Sequence, residues 1–171
     1  MKIAAVAPAF PSHRYSQSEI LDEMRRTWKP GDGLMTRIER LMGSVQVDHR
    51  HLSLPLERYG ELTRFGIAND HWIENATELG GRSVARALEA AGVPGSDVGA
   101  IFFVSVTGIS SPSVDSRIIQ HLGLSRHVKR NPIFGLGCVA GASALARAAD
   151  YVKAFPRQAA VALSVELCSL T

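Results

Sequence analysis

The sequence predicts an α/β fold that contains at least some parallel strands. Strand-like and helix-like patterns alternate in the second half of the chain, and this order is typical of layered α/β proteins. Residues 98–106 form a continuous apolar run, which suits a strand buried on both faces of a parallel sheet. The 171 residues are 46% hydrophobic, enough for the core of one domain or of part of a larger one.

Two elements are predicted in the first 28 residues. Residues 2–7 favour a strand over a signal peptide, because the apolar stretch is short and Pro8 interrupts it. Ser16 and Glu19 have the spacing of a capping box, in which each side chain satisfies a free backbone N–H at the start of a helix. We therefore expect a helix from this point to about Trp28.

Residues 29–33 contain a proline and two glycines and predict a break in the chain. A second amphipathic helix follows from 34 to about 42, with Gly43 as its stop. Further elements before the apolar strand are an extended segment at 45–52, a loop at 54–60 and a long helix at about 64–91. Gly80 and Gly81 are positions where this long helix could kink or pack closely against a neighbour.

The last predicted helix, residues 138–152, is apolar around nearly its whole circumference. Only Arg147 and Asp150 interrupt the pattern. A helix of this kind is expected to be buried rather than to lie on a surface. The neighbouring predictions are a helix at 113–122 that ends at Gly123, and strands at about 132–134 and 158–167.

Cys138 follows a Gly-Leu-Gly turn and precedes that alanine-rich helix. A thiol on the first turn of a helix lies near unpaired backbone N–H groups and the positive end of the helix dipole. The pKa of a thiol in such a place can fall below the free value of about 8.5, and the resulting thiolate is a nucleophile. The alternative is that Cys138 is a small buried hydrophobic residue, a common role for cysteine.

Charge and composition argue against several classes of function. A net charge of +3 without a long basic run does not indicate nucleic-acid binding, although clustered arginines could hold a small anion. Two cysteines do not make a disulfide framework, so we expect reduced thiols and a cytoplasmic protein. No run of 18 apolar residues predicts a membrane span. His49 and His51 lack a third metal ligand, and the turn at 135–137 is not a dinucleotide fingerprint.

Three segments share their order and spacing with one enzyme family. Residues 137–141, Gly-Cys-Val-Ala-Gly, are similar to its nucleophile motif. Residues 106–112 are similar to its active-site loop, and residues 164–171 to the strand and loop that follow. By these segments the chain resembles the type III polyketide synthases, the chalcone/stilbene synthase family. The residues of these segments are most similar to those of bacterial members that make alkylpyrones or related products from fatty acyl-CoA.

The resemblance implies a thiolase-like fold, a layered αβαβα arrangement of two similar halves. Residues 1–171 would be the chalcone/stilbene synthase N-terminal domain, truncated before its end, with the C-terminal half absent. In this family a catalytic histidine and asparagine lie in the C-terminal half, and none of the six histidines here matches them. We therefore expect little or no condensation activity from the isolated chain.

The implied reaction is a decarboxylative condensation on Cys138. An acyl-CoA starter acylates the thiolate, malonyl-CoA loses carbon dioxide to give an enolate, and the enolate attacks the thioester. The resemblance implies no cofactor beyond the CoA thioesters that serve as substrates. A homodimer is the implied assembly, because the family loop near Ser111 crosses to the partner subunit.

The resemblance also implies binding residues. Arg37 and Arg40 match family positions that hold the phosphates of CoA, and arginine forks suit phosphate oxygens; the alternative is a solvated helix face. Many plant members have threonine at two pocket positions that carry less polar residues here, which suits an aliphatic starter. The matching pocket residues are Val106, Thr107, Cys168 and Thr171.

Two other interpretations stay open. One is a β-ketoacyl carrier-protein synthase of the same fold, although in those enzymes the glycine tends to follow the nucleophile more closely than Gly141 follows Cys138. The other is a non-catalytic fragment, which the end of the sequence just after a strand pattern favours. Glu166 lies in an apolar strand, so we expect a buried carboxylate with hydrogen-bond partners and a structural role.

Overall fold

The computed structural model describes residues 1–29 and 31–171. The strands and helices, in chain order, are β1 (His13–Ser16), α1 (Gln17–Thr27), α2 (Asp32–Ser44), β2 (His49–Leu52), α3 (Phe65–Ala91), β3 (Val98–Val104), α4 (Asp115–His121), β4 (Lys129–Ile133), α5 (Ala140–Ala154) and β5 (Ala159–Ser164). Short 3-10 turns occupy Leu56–Glu61, Gly95–Asp97, Gly137–Val139 and Cys168–Leu170.

A parallel sheet of three strands organises the chain, as the alternation of patterns predicts. β3 is the central strand, with β4 paired to one edge and β5 to the other. β3 is buried along its length except at Gly99, and it ends at Val104, two residues earlier than the apolar run. The strand stops there because the backbone N–H of Val106 donates to the carboxylate of Glu166 instead of to a neighbouring strand.

Helices cover the two faces of this sheet unequally. α3 and α4 pack on one face, where the buried side chains include Trp72, Ala76, Leu79, Ile101, Phe103 and Ile118. α5 packs on the other face, where the buried side chains are Ala100, Phe102, Val104, Ala140 and Ala144. Successive β3 side chains point to opposite faces, so this one strand contributes to both clusters. The result is an α/β/α arrangement.

The prediction that the helix after Cys138 is buried nearly all round is wrong for this chain. Only Ala140 and Ala144 of α5 are buried, whereas Leu145 is 53% exposed. The sheet covers one side of α5, and no other element of the described residues covers the opposite side. The apolar pattern of α5 therefore extends over a side of the helix that the sheet does not cover.

The strand predicted at residues 2–7 is also wrong: no strand pairing occurs in the described residues before His13. Residues 7–10 instead run beside α3, where Arg82, Ser83 and Arg86 donate hydrogen bonds to the backbone carbonyls of Phe10, Ala7 and Pro8, respectively. Residues 7–11 and the outer edge of β5 line one groove of ≈ 750 Å³. Open space therefore separates them, and a strand pattern forms a ladder only where a partner strand is within hydrogen-bond distance.

The start of α1 is a capping box, as the sequence predicts. Ser16 Oγ accepts from the Glu19 N–H at 3.2 Å, and a carboxylate oxygen of Glu19 accepts from the Ser16 N–H at 2.7 Å. The hydrogen bonds from the side chain and then the backbone of Ser16 hold the pKa of Glu19 below its usual range. α2 continues past Gly43 to Ser44. The predicted break at 29–33 includes Pro30, which lies outside the described residues.

α3 is continuous across Gly80 and Gly81, so neither glycine kinks the helix. Gly80 marks close packing, whereas a Cβ on Gly81 would have no atom within 4 Å. A Cβ on Gly80 would lie 2.8 Å from Cδ1 of Ile118, which leaves no room for a side chain between α3 and α4. The helix ends at Gly92, whose φ of 63° is in the left-handed region that glycine adopts readily.

A buried ion pair fastens α4 to β4. The Asp115 side chain is fully buried, and its two oxygens accept from Arg130 Nε at 2.5 Å and from an Arg130 terminal nitrogen at 3.2 Å. Ser113 Oγ also hydrogen-bonds to Asp115. The pair thus fixes the end of the loop that connects β3 to α4.

We expect Asp115→Ala to lower the free energy of unfolding by about 2 kcal/mol, because it leaves Arg130 partly buried without its partner. The effect is moderated by the 36% of the Arg130 side chain that stays exposed. The matched control is Asp150→Ala, whose 3.8 Å pair with Lys153 is exposed on both sides and should contribute less than about 0.5 kcal/mol. Urea denaturation measures the free energy of unfolding of both variants. Equal losses would mean that the buried Asp115–Arg130 pair stabilises the fold no more than an exposed pair does.

Candidate functional site

Three loops follow the carboxyl ends of β3, β4 and β5. They comprise residues 105–112, 134–139 and 165–171, and they carry five of the seven predicted site residues. Because the strands are parallel, their carboxyl ends lie at the same edge of the sheet, the usual place for a site in this class of fold. The structure therefore brings together three segments that are distant in sequence.

Cys138 lies on the 3-10 turn Gly137–Val139 that leads into α5, so it precedes the first turn of that helix instead of lying on it. Its side chain is exposed, so it is not a buried hydrophobic residue in this chain. Gly135 and Gly137 have φ values of 86° and 58°, a backbone form that glycine adopts without strain. No side chain caps the start of α5, so the positive end of the helix dipole lies next to the thiol.

Glu166 joins the loop after β5 to the loop after β3. Its carboxylate accepts from the backbone N–H groups of Val106 and Thr107, both at 3.2 Å. It also accepts from the hydroxyls of Ser105 at 3.3 Å and Thr107 at 2.8 Å. The predicted hydrogen-bonding role is confirmed, but the predicted burial is wrong, because Glu166 is exposed in this chain.

Cys168 and Thr171 lie at the end of the loop after β5, and both are exposed. The hydroxyl of Thr171 donates to the carbonyl of Cys168 at 2.9 Å, which closes the 3-10 turn Cys168–Leu170. Cys168 lines the groove described above, whereas Cys138 does not. Ser169 lies between Cys168 and Thr171 in the chain. Its Oγ accepts from the Tyr59 hydroxyl at 2.8 Å, a contact that the sequence does not indicate.

Arg37 and Arg40 lie one turn apart on α2, which is not part of the sheet. Both side chains are exposed. Within residues 1–29 and 31–171, neither forms an ion pair, although the adjacent Glu39 pairs with Arg25 at 2.5 Å. Two cations that share a helix face and lack a carboxylate partner are available to an anionic ligand.

Two residues of α3 that the sequence analysis did not single out hold the loop after β3. The Asn69 side chain forms two hydrogen bonds with the backbone of Ile109, at 2.8 and 2.9 Å. Trp72, three residues later, donates from Nε1 to Thr107 Oγ1 at 3.2 Å. The sequence signal was weak, because an asparagine and a tryptophan on a long helix are typical of an ordinary helix surface and core.

Two features are absent from the part of the chain that the structure describes. No helix there is both long enough and apolar enough to cross a membrane. No group of three or more His, Cys, Asp or Glu side chains is arranged to hold a metal ion among the same residues.

Comparison with curated proteins shows a relative from Streptomyces peucetius subsp. caesius, a 1,3,6,8-tetrahydroxynaphthalene synthase. It is 41% identical over 169 residues, which cover 99% of this chain and 45% of the relative. A putative chalcone synthase from Bacillus subtilis (strain 168) is 35% identical over 177 residues, which cover 99% of this chain and 48% of the relative. The chain thus spans about half the length of the curated relatives it matches.

Solved structures that resemble this chain also match it over nearly its whole length. The 1,3,6,8-tetrahydroxynaphthalene synthase of Streptomyces coelicolor A3(2), a bacterial type III polyketide synthase, superposes with a TM-score of 0.86 at 30% identity. The match covers 97% of this chain and 48% of that protein. Residues 1–170 match the sequence profile of the family described as chalcone and stilbene synthases, N-terminal domain.

Proposed function

The chain belongs to the chalcone and stilbene synthase family as its N-terminal domain, and we propose that it supplies the nucleophile of an acyltransferase that acts on CoA thioesters. One observation carries the proposal most directly. Cys138 is exposed at the carboxyl edge of a parallel sheet, next to the uncapped start of a helix. A thiol in this place can be reached by a substrate, and the positive end of the helix dipole lies beside it.

In the proposed reaction, the Cys138 thiolate attacks the carbonyl carbon of an acyl-CoA. The acyl–sulfur bond to the protein forms as the bond to CoA breaks, and the CoA thiol leaves. Malonyl-CoA then loses carbon dioxide, and its enolate carbon attacks the acyl group and releases the cysteine. Because the matched relatives are about twice as long as this chain, we propose that further polypeptide supplies the groups that assist decarboxylation.

The starter acyl group is proposed to be aliphatic. Val106, on the loop after β3, is apolar and 40% exposed, and Cys168 is exposed on the loop after β5. Side chains of low polarity favour an alkyl chain over a hydroxylated ring. The product would then be an alkylpyrone or a related polyketide.

A second product class is favoured by the relative with 41% identity, whose name is 1,3,6,8-tetrahydroxynaphthalene synthase. If this chain shared that product, malonyl-CoA would be sufficient without a fatty acyl-CoA. The two candidates differ in whether a fatty acyl-CoA starter is required, so one assay separates them.

The experiment that tests the function uses the protein from the complete reading frame that contains this sequence. We expect it to release carbon dioxide from malonyl-CoA and to form a polyketide, with hexanoyl-CoA added in one reaction and malonyl-CoA alone in another. Loading from hexanoyl carrier protein but not from hexanoyl-CoA would instead support a carrier-protein synthase. No loading from either donor would support a non-catalytic protein.

The assembly is proposed to be a homodimer in the cytoplasm. The loops at the carboxyl edge of the sheet expose large apolar side chains, which is typical of a surface covered by another chain. These side chains are Ile109, Phe134, Leu136 and Val139. Sedimentation of the complete protein measures the proposed dimer directly.

Arg37 and Arg40 are proposed to bind the phosphates of CoA. We expect Arg37→Ala and Arg40→Ala each to raise KM for hexanoyl-CoA about tenfold at low salt, since one charge-assisted hydrogen bond contributes about 1.5 kcal/mol. The effect should shrink as the ionic strength rises.

Two controls isolate the role of the phosphates. Hexanoyl-N-acetylcysteamine lacks phosphate groups, so its KM should not respond to either substitution. Arg126→Ala removes another exposed cation and should leave KM for hexanoyl-CoA unchanged. If the two substitutions raised KM equally for the phosphate-free thioester, the arginines would not act by binding the phosphates of CoA.

A further inference from the structure

Trp72 is buried in the first half of α3, with 1% of its surface exposed. Its indole N–H donates to Thr107 Oγ1 at 3.2 Å, across 35 residues of sequence. Its ring also lies against Gly108, so closely that a Cβ at this glycine would overlap the indole. One side chain of the core therefore contacts two successive residues of the loop after β3.

The hydroxyl of Thr107 has no capacity left for a ligand. It accepts from Trp72 Nε1 and from the backbone N–H of Leu167 at 3.0 Å, and it donates to Glu166 at 2.8 Å. A threonine hydroxyl offers one proton and two lone pairs, and all three are used here. This residue connects α3, the loop after β3 and the loop after β5.

Val106 is in the opposite situation. Its backbone N–H is held by Glu166 at 3.2 Å, but its side chain makes no polar contact and is 40% exposed. Fixing Thr107 and the backbone on both sides of it therefore determines where the side chain of Val106 lies. The apolar methyl groups, and not the neighbouring hydroxyl, are what the loop offers to a ligand.

We propose that Trp72 is a positioning residue that holds Thr107, so that Val106 is the residue of this loop that contacts the acyl chain of the substrate. This inference rests on the proposed function, because it assigns the loop to the acyl pocket. The role proposed for Thr107 is therefore to connect structural elements, in place of the pocket role that the sequence predicted.

The test uses the protein from the complete reading frame and two substitutions. Trp72→Phe keeps an aromatic ring against Gly108 but removes the indole N–H, and Thr107→Val removes the hydroxyl while keeping the shape. Trp28→Phe is the matched control, because Trp28 is the other tryptophan of residues 1–171 and is 62% exposed.

The first readout is hydrogen–deuterium exchange of peptides that cover 105–109 and 165–168. We expect exchange to become about fivefold faster in Trp72→Phe and in Thr107→Val, the equivalent of one neutral hydrogen bond of about 1 kcal/mol. Trp28→Phe should leave both peptides unchanged. Unchanged exchange in Trp72→Phe would overturn the proposal, whether or not Cys138 takes up an acyl group.

The second readout is the ratio of the Cys138 acylation rates with decanoyl-CoA and acetyl-CoA, measured by intact mass. We expect Trp72→Phe to change this ratio about fivefold, and the double variant with Thr107→Val to change it no further, because the two side chains act through one contact. A purely structural role would lower both rates by the same factor and keep the ratio. A constant ratio, or additive effects of the two substitutions, would contradict the proposal.

Discussion

Cys138→Ala is expected to abolish acyl loading, with a loss of at least about 10³-fold in the rate of polyketide formation. The reason is chemical: the thioester is formed with the sulfur of this side chain, and alanine offers no nucleophile in its place. The measurement is the intact mass of the complete protein after incubation with hexanoyl-CoA, which should show one hexanoyl adduct per chain in the unaltered protein and none in the variant.

The matched control for this experiment is Cys168→Ala. Residues 1–171 contain two cysteines, both exposed, so exposure alone does not distinguish them. Only Cys138 lies on a turn that leads into an α-helix, two residues before the uncapped start of α5. We therefore expect Cys168→Ala still to take up the acyl group, at Cys138. An adduct that persists in Cys138→Ala and disappears in Cys168→Ala would assign the nucleophile to the other thiol.

Gly108→Ala is expected to lower the free energy of unfolding by about 3 kcal/mol, at the upper end of the range for overpacking a core. The new Cβ would lie 2.5 Å from Cε2 of Trp72 and closer still to two other atoms of the indole. Trp72 cannot move away, because it is 1% exposed and packed between α3 and the sheet. Urea denaturation of the complete protein measures this loss.

Gly43→Ala is the control for the loss of a glycine itself. Gly43 lies in α2, is exposed, and has no atom within 4 Å of a Cβ built on it. Alanine is the better helix former by about 1 kcal/mol, so this variant should be slightly more stable than the unaltered protein. If Gly108→Ala lowered the free energy of unfolding no more than Gly43→Ala does, the indole of Trp72 would not be held rigidly against the loop.

The helices of this chain could be predicted from the sequence because their determinants are local. The hydroxyl of Ser16 and the carboxylate of Glu19, three residues apart, cap the start of one helix, and Gly92 ends another through its own backbone conformation. Helical hydrogen bonds join residues four apart, so a short window of sequence contains both partners. The central strand was equally clear, because an apolar run is the mark of burial on both faces.

The errors concern partners that are distant in sequence. Residues 2–7 have the pattern of a strand, but whether a strand forms depends on a neighbour that no local pattern identifies. The apolar pattern of α5 predicted burial nearly all round the helix, but a local pattern does not say which sides distant elements cover. Glu166 was expected to be buried, yet it lies exposed beyond the end of β5 with its hydrogen bonds in place.

The sequence by itself determined the α/β class, the helices and the placing of Cys138 between a glycine turn and a helix, because each of these depends on residues close together in the chain. Only the tertiary structure decided that the loops after β3, β4 and β5 share one edge, and that Trp72 holds Thr107 across 35 residues. Parallel pairing and packing in the core set those distances, and neither leaves a signal in a short stretch of sequence.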